Sequence, residues 1–198
     1  MKIQLLTAAT ALGIFLSPAS NAQTTLYGIT SANAIFTMSN VSSPSSISGP
    51  YSVSGIASGQ VLAGIDVRPS NGRLYALGYD SVALMGELYT ITGSGTTYTA
   101  TAVTGTLASM NLGGTNNVAL DFVSTVDNQI RIVGRNGNNY VMNADNGSIM
   151  TTGTSGISYA TGDLYSGATV ISGTAFTNSF YGADATTEVG YDAANNVL

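Results

Sequence analysis

Apolar and polar residues alternate along this chain in short runs, and the runs recur at a spacing of about 55 residues. One run, at 64–78, reads GIDVRPSNGRLYALG, and its counterpart at 119–134 reads ALDFVSTVDNQIRIVG. A weaker third copy, GTAFTNSFYGA, occupies 173–183. Each copy contains two short alternating runs joined by a turn, which is typical of antiparallel strands. The pattern therefore predicts one sheet unit that is repeated along the chain.

Helix signals are nearly absent after residue 22, and Gly, Ser, Thr and Asn interrupt the chain every few residues. Asn-Gly pairs that begin at 71, 136 and 146 predict tight turns. In the first repeat we expect strands at Gly64–Arg68, Arg73–Gly78, Glu87–Thr92 and Thr97–Val103. In the second repeat we expect strands at Val118–Val123, Gln129–Gly134, Asn139–Asn143 and Ile149–Thr152. In the third repeat we expect strands at Ser172–Thr177, Phe180–Ala183 and Glu188–Asp192.

An all-β chain with four strands in each period predicts a β-propeller-like ring of four-stranded antiparallel blades, with repeats near 64–105, 118–152 and 172–198. A β-sandwich would explain the strands without the repeat, and a β-solenoid would have a shorter period. A partial first blade covers 24–55, where LYGIT and AIFTMS match the second and third strands of the repeat. No counterpart of the first strand precedes them. We therefore expect the ring to be incomplete or irregularly closed.

The first 22 residues predict a secretory signal peptide. Lys2 precedes the apolar run Leu5–Leu16, and small residues then lead to a cleavage site after Ala22. The run of 12 residues is shorter than the roughly 20 that span a bilayer. We expect a secreted or periplasmic protein with a single domain at 23–198 and no membrane span.

Removal of the leader changes the chemistry that is open to the chain. Without Lys2 the formal charge falls from −5 to −6, and no Lys, His, Cys or Trp is left. The negative charge argues against nucleic acid and anionic membranes as partners. Catalytic triads, Schiff bases and the usual zinc, haem and copper sites all lose their main residue types. No phosphate-binding glycine motif opens a helix, so a nucleotide cofactor is not expected.

Asp66 and Asp121 occupy the same position in successive copies, where the third copy has Ala175. Carboxylates on a strand between packed sheets need partners, so we expect hydrogen bonds to turn amides or pairing with Arg68 or Arg131. A ligand role for these four residues in a central tunnel is the alternative interpretation. Catalysis by the two carboxylates is a third.

The remaining candidates are weaker. Arg131 and Arg135 could bind an anion, but a charge pair with Asp121 or Asp127 is the simpler interpretation. The segment at 143–147 reads NADNG, and Asn143 and Asp145 make it a weak calcium candidate that lacks the spacing of an EF-hand. We interpret that segment as a hairpin turn. Tyrosines recur at matching strand positions, which favours core packing over stacking platforms for sugars, and these are Tyr27, Tyr75 and Tyr89.

From Leu26 to Leu198, the order of these motifs resembles the bacterial family catalogued as domain of unknown function 4394. The resemblance rests on LYGIT, LAGIDVRPSNGRLYALG, GELYTIT, ALDFVSTVDNQIRIVGRNGNNYVMNADNG and VSGTAFTNS. It implies an exported β-propeller-type domain with no assigned activity and no defined catalytic residues. It also implies further strands beyond the point where this chain ends.

The sequence therefore favours a secreted, non-enzymatic binding or structural module whose ligand is unknown, with a glycan or surface component as the candidate partner. One alternative is a carboxylate-dependent glycan hydrolase or lyase that uses Asp66, Asp121 or Glu87. A second alternative is a self-associating surface or matrix protein, which the Ser, Thr and Gly content of the outer strands would permit.

Overall fold

The computed structural model describes residues 25–40, 43–153, 156–165 and 169–198. The predicted signal peptide and its cleavage site lie outside these residues. The described chain is all-β, and the only helical element among its described residues is a single 3-10 turn at Pro44–Ser46. None of the helical structure in these segments is long and apolar enough to cross a membrane.

The strands are β1 Leu26–Thr30, β2 Ala34–Met38, β3 Ile47–Ser54, β4 Val61–Val67, β5 Leu74–Asp80, β6 Met85–Ser94, β7 Thr97–Ser109, β8 Ala119–Phe122, β9 Gln129–Val133, β10 Asn139–Asn143, β11 Ile149–Gly153, β12 Ile171–Phe176 and β13 Glu188–Asp192.

The strands form three sheets. The largest has seven strands in the order β1-β2-β3-β7-β6-β5-β4, the second has the order β11-β10-β9-β8, and the third pairs β12 with β13. All pairings are antiparallel except that of β3 with β7, where Val53 and Ser54 lie beside Tyr98 and Thr99. Successive strands along the chain are sheet neighbours except at the steps from β3 to β4, from β7 to β8 and from β11 to β12.

The Asn-Gly turns are confirmed. Gly72, Gly137 and Gly147 all have positive φ, between 65° and 81°. Their amides close the turns by donating to carbonyl oxygens three or four residues earlier, at distances of 2.8–2.9 Å. Glycine adopts this conformation without the steric penalty of a side chain, which is why the strand pairs turn at these positions.

The prediction of an all-β chain is confirmed, whereas a ring of separate four-stranded blades is not what the sheets show. The second repeat does form a separate four-stranded sheet, but the first repeat shares its sheet with β1, β2 and β3. The parallel contact between β3 and β7 makes this join. In the third repeat the predicted strand Phe180–Ala183 is instead a turn, and β12 pairs directly with β13.

Sheets pack face to face through layers of apolar side chains. Strand β5 is buried on both faces, so Tyr75, Leu77 and Tyr79 enter one core cluster while Leu74 and Ala76 enter another. This division follows from the two-residue period of a strand. The first cluster joins the first repeat to the second, and the second cluster joins the first repeat to the N-terminal strands.

A third and much smaller cluster, Ala119, Val133 and Ile171, joins the second repeat to the third. The predicted core role of the tyrosines is confirmed for Tyr75 and Tyr89, which are almost fully buried. It is wrong for Tyr27, which is 39% exposed.

Candidate functional site

Asp66 and Asp121 lie in the first strands of successive repeats, and each carboxylate bonds to the first strand of the next repeat. Asp66 Oδ2 accepts a hydrogen bond from the amide of Phe122 at 2.9 Å, and Asp121 Oδ2 accepts one from the amide of Phe176 at 2.6 Å. Asp66 Oδ1 also accepts from the amide of Val67. The predicted bonding to backbone amides is confirmed, although the donors belong to strands rather than to turns. The two aspartates thus link β4 to β8 and β8 to β12.

The two carboxyl groups are also near enough to influence each other's pKa. Burial and, after it, the nearby charge of Asp66 raise the pKa of Asp121 to about 7, although the hydrogen bond from the Phe176 amide opposes the rise. Burial also raises the pKa of Asp66, although hydrogen bonds from Phe122, Asp121 and Val67 oppose that rise. Two like charges so close cannot both ionise easily, so the pair retains a proton near neutral pH.

Arg68 does not pair with Asp66. Its side chain is 9% exposed and lies between Asp127 and Asp145, with each nitrogen-to-oxygen distance at 2.6 Å. Both acids belong to turns of the second repeat, and the hydroxyl of Tyr75 lies at 3.5 Å. Burial alone would lower the pKa of Arg68, but the bonds to these groups outweigh it and raise the pKa above its usual value. The bond to Arg68 lowers the pKa of Asp127.

Arg131 contacts neither Asp127 nor Asp121 as an ion pair, so the predicted partners are wrong. Asp121 is its cross-strand neighbour in the sheet, but the ion pair is between Arg131 Nε and Glu188 Oε1, at 3.4 Å. Arg135 donates to the side chain of Asn116 at 3.0 Å and is exposed. The four residues proposed for one tunnel therefore divide into a half-buried carboxyl pair, a buried arginine and a half-buried arginine.

The calcium candidates belong to a hairpin turn between β10 and β11. Asn143 Oδ1 accepts from the amide of Asp145 at 2.8 Å, and the Asp145 carboxylate faces the guanidinium of Arg68. In the described part of the chain no three acidic side chains are grouped as metal ligands. A cation at Asp145 would have to compete with the positive charge of Arg68.

Glu87, the third candidate acid, is separate from the aspartate pair in its bonding. It is 7% exposed and accepts hydrogen bonds from Tyr89 at 2.6 Å and from Gln60 at 3.2 Å. Burial and the bond to Glu87 raise the pKa of Tyr89 to about 12. This network fixes the loop before β4 to the sheet, because the amide of Ala57 bonds to the Tyr89 hydroxyl.

An open cleft of about 330 Å³ lies where the second repeat meets the third. Arg131 and Glu188 line one side of it, and Val133, Ile157 and Ile171 supply apolar walls. Sequence patterns did not indicate this cleft, because its walls come from strands and loops that are distant along the chain. The cleft exists because the third core cluster, with three buried residues, is too small to fill the space between these sheets.

Asp192, a second feature that the sequence analysis missed, also lines this cleft. It is 2% exposed and accepts hydrogen bonds from the Tyr159 hydroxyl, the Asn195 side chain and the amides of Val170 and Ala194, all at 2.8–3.0 Å. Burial alone would raise its pKa, but these donors outweigh burial and lower it. Asp192 thus fixes the shape of the cleft and has no free acceptor capacity for chemistry.

These features define an all-β protein in which Asp66 and Asp121 link strand β4 to β8 and strand β8 to β12, with a cleft between β9, β12 and β13. Residues 35–198 match the family model described as domain of unknown function (DUF4394), and the chain belongs to that family. No curated protein matches the chain.

Proposed function

We propose that this chain is a non-enzymatic binding or structural module, built as a β-propeller-like stack of sheets and exported to the periplasm or the cell exterior. The observation that carries the proposal is the use of its charged groups. Asp66 and Asp121 are bonded to strand amides, and Arg68 is held by two aspartates. The side chains best able to do chemistry are thus occupied in holding successive repeats together.

The propeller-like arrangement is supported by contacts between the first strands of the repeats. Strand β8 packs between β4 and β12, and β1 packs beside β4. The bond from Asp66 to Phe122 spans 56 residues and the bond from Asp121 to Phe176 spans 55, so the same link is made twice. A pocket of about 280 Å³ is lined by residues from these four strands, as a shared central axis would require.

Export rests on the first 22 residues, whose charged start, apolar run and small-residue end are those of a cleaved leader. An exported chain without cysteine must be held by packing and hydrogen bonds alone. The contacts between repeats supply such bonds. N-terminal sequencing of the protein from its native host should begin at Gln23; a start at Met1 would contradict export.

The non-enzymatic assignment is tested with the purified protein on arrays of glycans and peptides, with products followed by mass spectrometry. We expect binding without turnover. Reproducible cleavage of any arrayed compound, at a rate proportional to protein concentration, would overturn the proposal.

A carboxylate-dependent glycan hydrolase or lyase is the second candidate, because Asp66 and Asp121 form a close pair in which the pKa of Asp121 is about 7. A raised pKa of this kind suits a general acid. Against it, both oxygens of Asp66 and one oxygen of Asp121 already accept hydrogen bonds from backbone amides. Should the arrays reveal hydrolysis, Asp121→Asn distinguishes the candidates: a loss of more than about 100-fold in kcat would favour the enzyme.

A further inference from the structure

The cleft between the second and third repeats is lined by both apolar and polar side chains. The apolar lining includes Val133, Ile157 and Ile171, together with Tyr159. The polar lining includes Arg131, Glu188 and Thr174, whose mutual contacts place them together on what we call the polar side. Its volume, about 330 Å³, is at the lower end of the range for small-ligand pockets.

The polar side places a donor and an acceptor next to each other. Among the described residues, the Arg131 guanidinium has one charged partner, Glu188 Oε1, and at 3.4 Å that contact is too long for a strong hydrogen bond. Glu188 Oε1 also accepts from the Thr174 hydroxyl at 2.9 Å. A hydroxyl group can accept from the guanidinium and donate to the carboxylate at the same time, so a ligand with adjacent hydroxyls matches this edge.

Charge excludes other ligand classes. An anion would meet Glu188, the buried charge of Asp192 and the net negative charge of the chain. A cation would meet the guanidinium of Arg131, while Asp192 is already saturated by four donors. A neutral ligand costs least to desolvate in this cleft.

We propose that the cleft between β9, β12 and β13 binds a neutral saccharide unit, with its hydroxyls on Arg131 and Glu188 and its C–H face on the aliphatic wall. This inference rests on the proposed function, because it supplies the ligand class of a non-enzymatic module. Its site is separate from the Asp66–Asp121 pair. The sugar binds there without any bond being made or broken.

The test is isothermal titration calorimetry of the purified protein with glucose, galactose, mannose, N-acetylglucosamine, cellotriose and maltotriose. Galacturonate and glucosamine are the anionic and cationic comparators. We expect at least one neutral sugar to bind at concentrations of about 10 mM or below, and more tightly than either comparator. Glu188→Gln and Thr174→Val should each weaken that binding by about 10-fold.

Arg135→Gln is the matched control, because this arginine is exposed and bonds to Asn116 outside the cleft. It should bind as the unmodified protein does. The inference is wrong if no neutral sugar binds, if a comparator binds more tightly, or if both cleft variants, shown to be folded by an unchanged Tm, bind normally. Cleavage of a bound sugar would instead overturn the non-enzymatic proposal, while the inference that the cleft binds a sugar would stand.

Discussion

The junction between the first and second repeats and the junction between the second and third use the same carboxylate-to-amide bond but differ in everything around it. At the first junction, a large apolar cluster and the buried Arg68 fill the space between the two sheets. At the second, a cluster of three buried residues leaves a cleft that is lined by Arg131, the cross-strand neighbour of Asp121. The polar link is therefore common to both junctions, while the amount of apolar packing decides whether a junction is closed or leaves a cleft.

Truncation of the buried aromatic residue at the first junction should lower the stability of the protein more than any other change considered below. Phe122 is fully buried and its ring meets that of Tyr75 edge-on at 5.3 Å. Phe122→Ala should lower the free energy of unfolding by about 3–5 kcal/mol, because it removes a large side chain and leaves a cavity. Ile171→Ala, at the thinner second junction, should cost about 2 kcal/mol. Urea denaturation measures both, and equal losses would contradict the difference between the junctions.

Replacement of the arginine at each junction should give the next largest difference in stability between the two junctions. Arg68→Gln leaves Asp127 and Asp145 without their cation, and we expect a loss of about 2–3 kcal/mol, since the guanidinium is buried but both acids are partly exposed. Arg131→Gln breaks only a long contact with Glu188 and should cost less than about 1 kcal/mol. Urea denaturation measures both losses. A larger loss for Arg131→Gln than for Arg68→Gln would contradict the stronger ion pairing at the first junction.

The aspartate pair predicts an unusual pH dependence of stability. The pKa of Asp121 in the folded protein, about 7, lies above the ordinary value of 3.8, so the folded state binds its proton more tightly. The stabilisation is complete below about pH 4 and is lost as the pH rises through 7. Between pH 5 and pH 8 the free energy of unfolding should fall by about 2 kcal/mol, after allowance for solvent screening of a partly exposed group.

Asp121→Asn should flatten this decline, because an amide can donate to Asp66 without titrating. Asp184→Asn, on the surface, is the control and should leave the slope unchanged. Stability that rises between pH 5 and pH 8 in the unmodified protein would be inconsistent with a shared proton.

A pair of glycine substitutions should give the smallest difference in stability. A Cβ on Gly64 would lie 2.7 Å from Leu120 Cβ, so β4 and β8 approach too closely for alanine. At the matching position in β12, a Cβ on Gly173 would have no atom within 4 Å. We expect Gly64→Ala to cost about 1–2 kcal/mol and Gly173→Ala to stay within about 0.5 kcal/mol. Equal Tm values for the two variants would show that the first junction is not closely packed.

The sequence predicted the local parts of the fold best. Strands β8, β9 and β10 lie within two residues of their predicted bounds, because alternation and Asn-Gly turns are both local signals. Alternation carries no information about which distant strand a segment joins, so the parallel contact of β3 with β7 was missed. The turn at Phe180–Ala183 was mistaken for a strand because its aromatic residues imitate the pattern of a buried one.

For the candidate site, matching positions in the sequence predict one shared role for Asp66 and Asp121, and both carboxylates do accept a hydrogen bond from a strand amide. Their partners lie one period further along the chain, 56 and 55 residues away, but the sequence pattern does not show that the first strands of neighbouring copies lie side by side. The pattern likewise does not show the partners of Arg68, whose acids are 59 and 77 residues away. The sequence favours charge pairs between residues that are near along the chain. In the structure, packing between sheets brings Arg68 to acids that are distant along the chain.

Native-state hydrogen exchange at two equivalent amides tests the central claim most directly. Phe122 and Phe176 each donate an amide hydrogen to the preceding repeat's aspartate, so any difference between them reports on the packing around the bond. We predict that the Phe176 amide opens with a free energy at least about 1 kcal/mol lower than that of Phe122. Equal protection of the two amides, or stronger protection of Phe176, would contradict a closed first junction and an open second one.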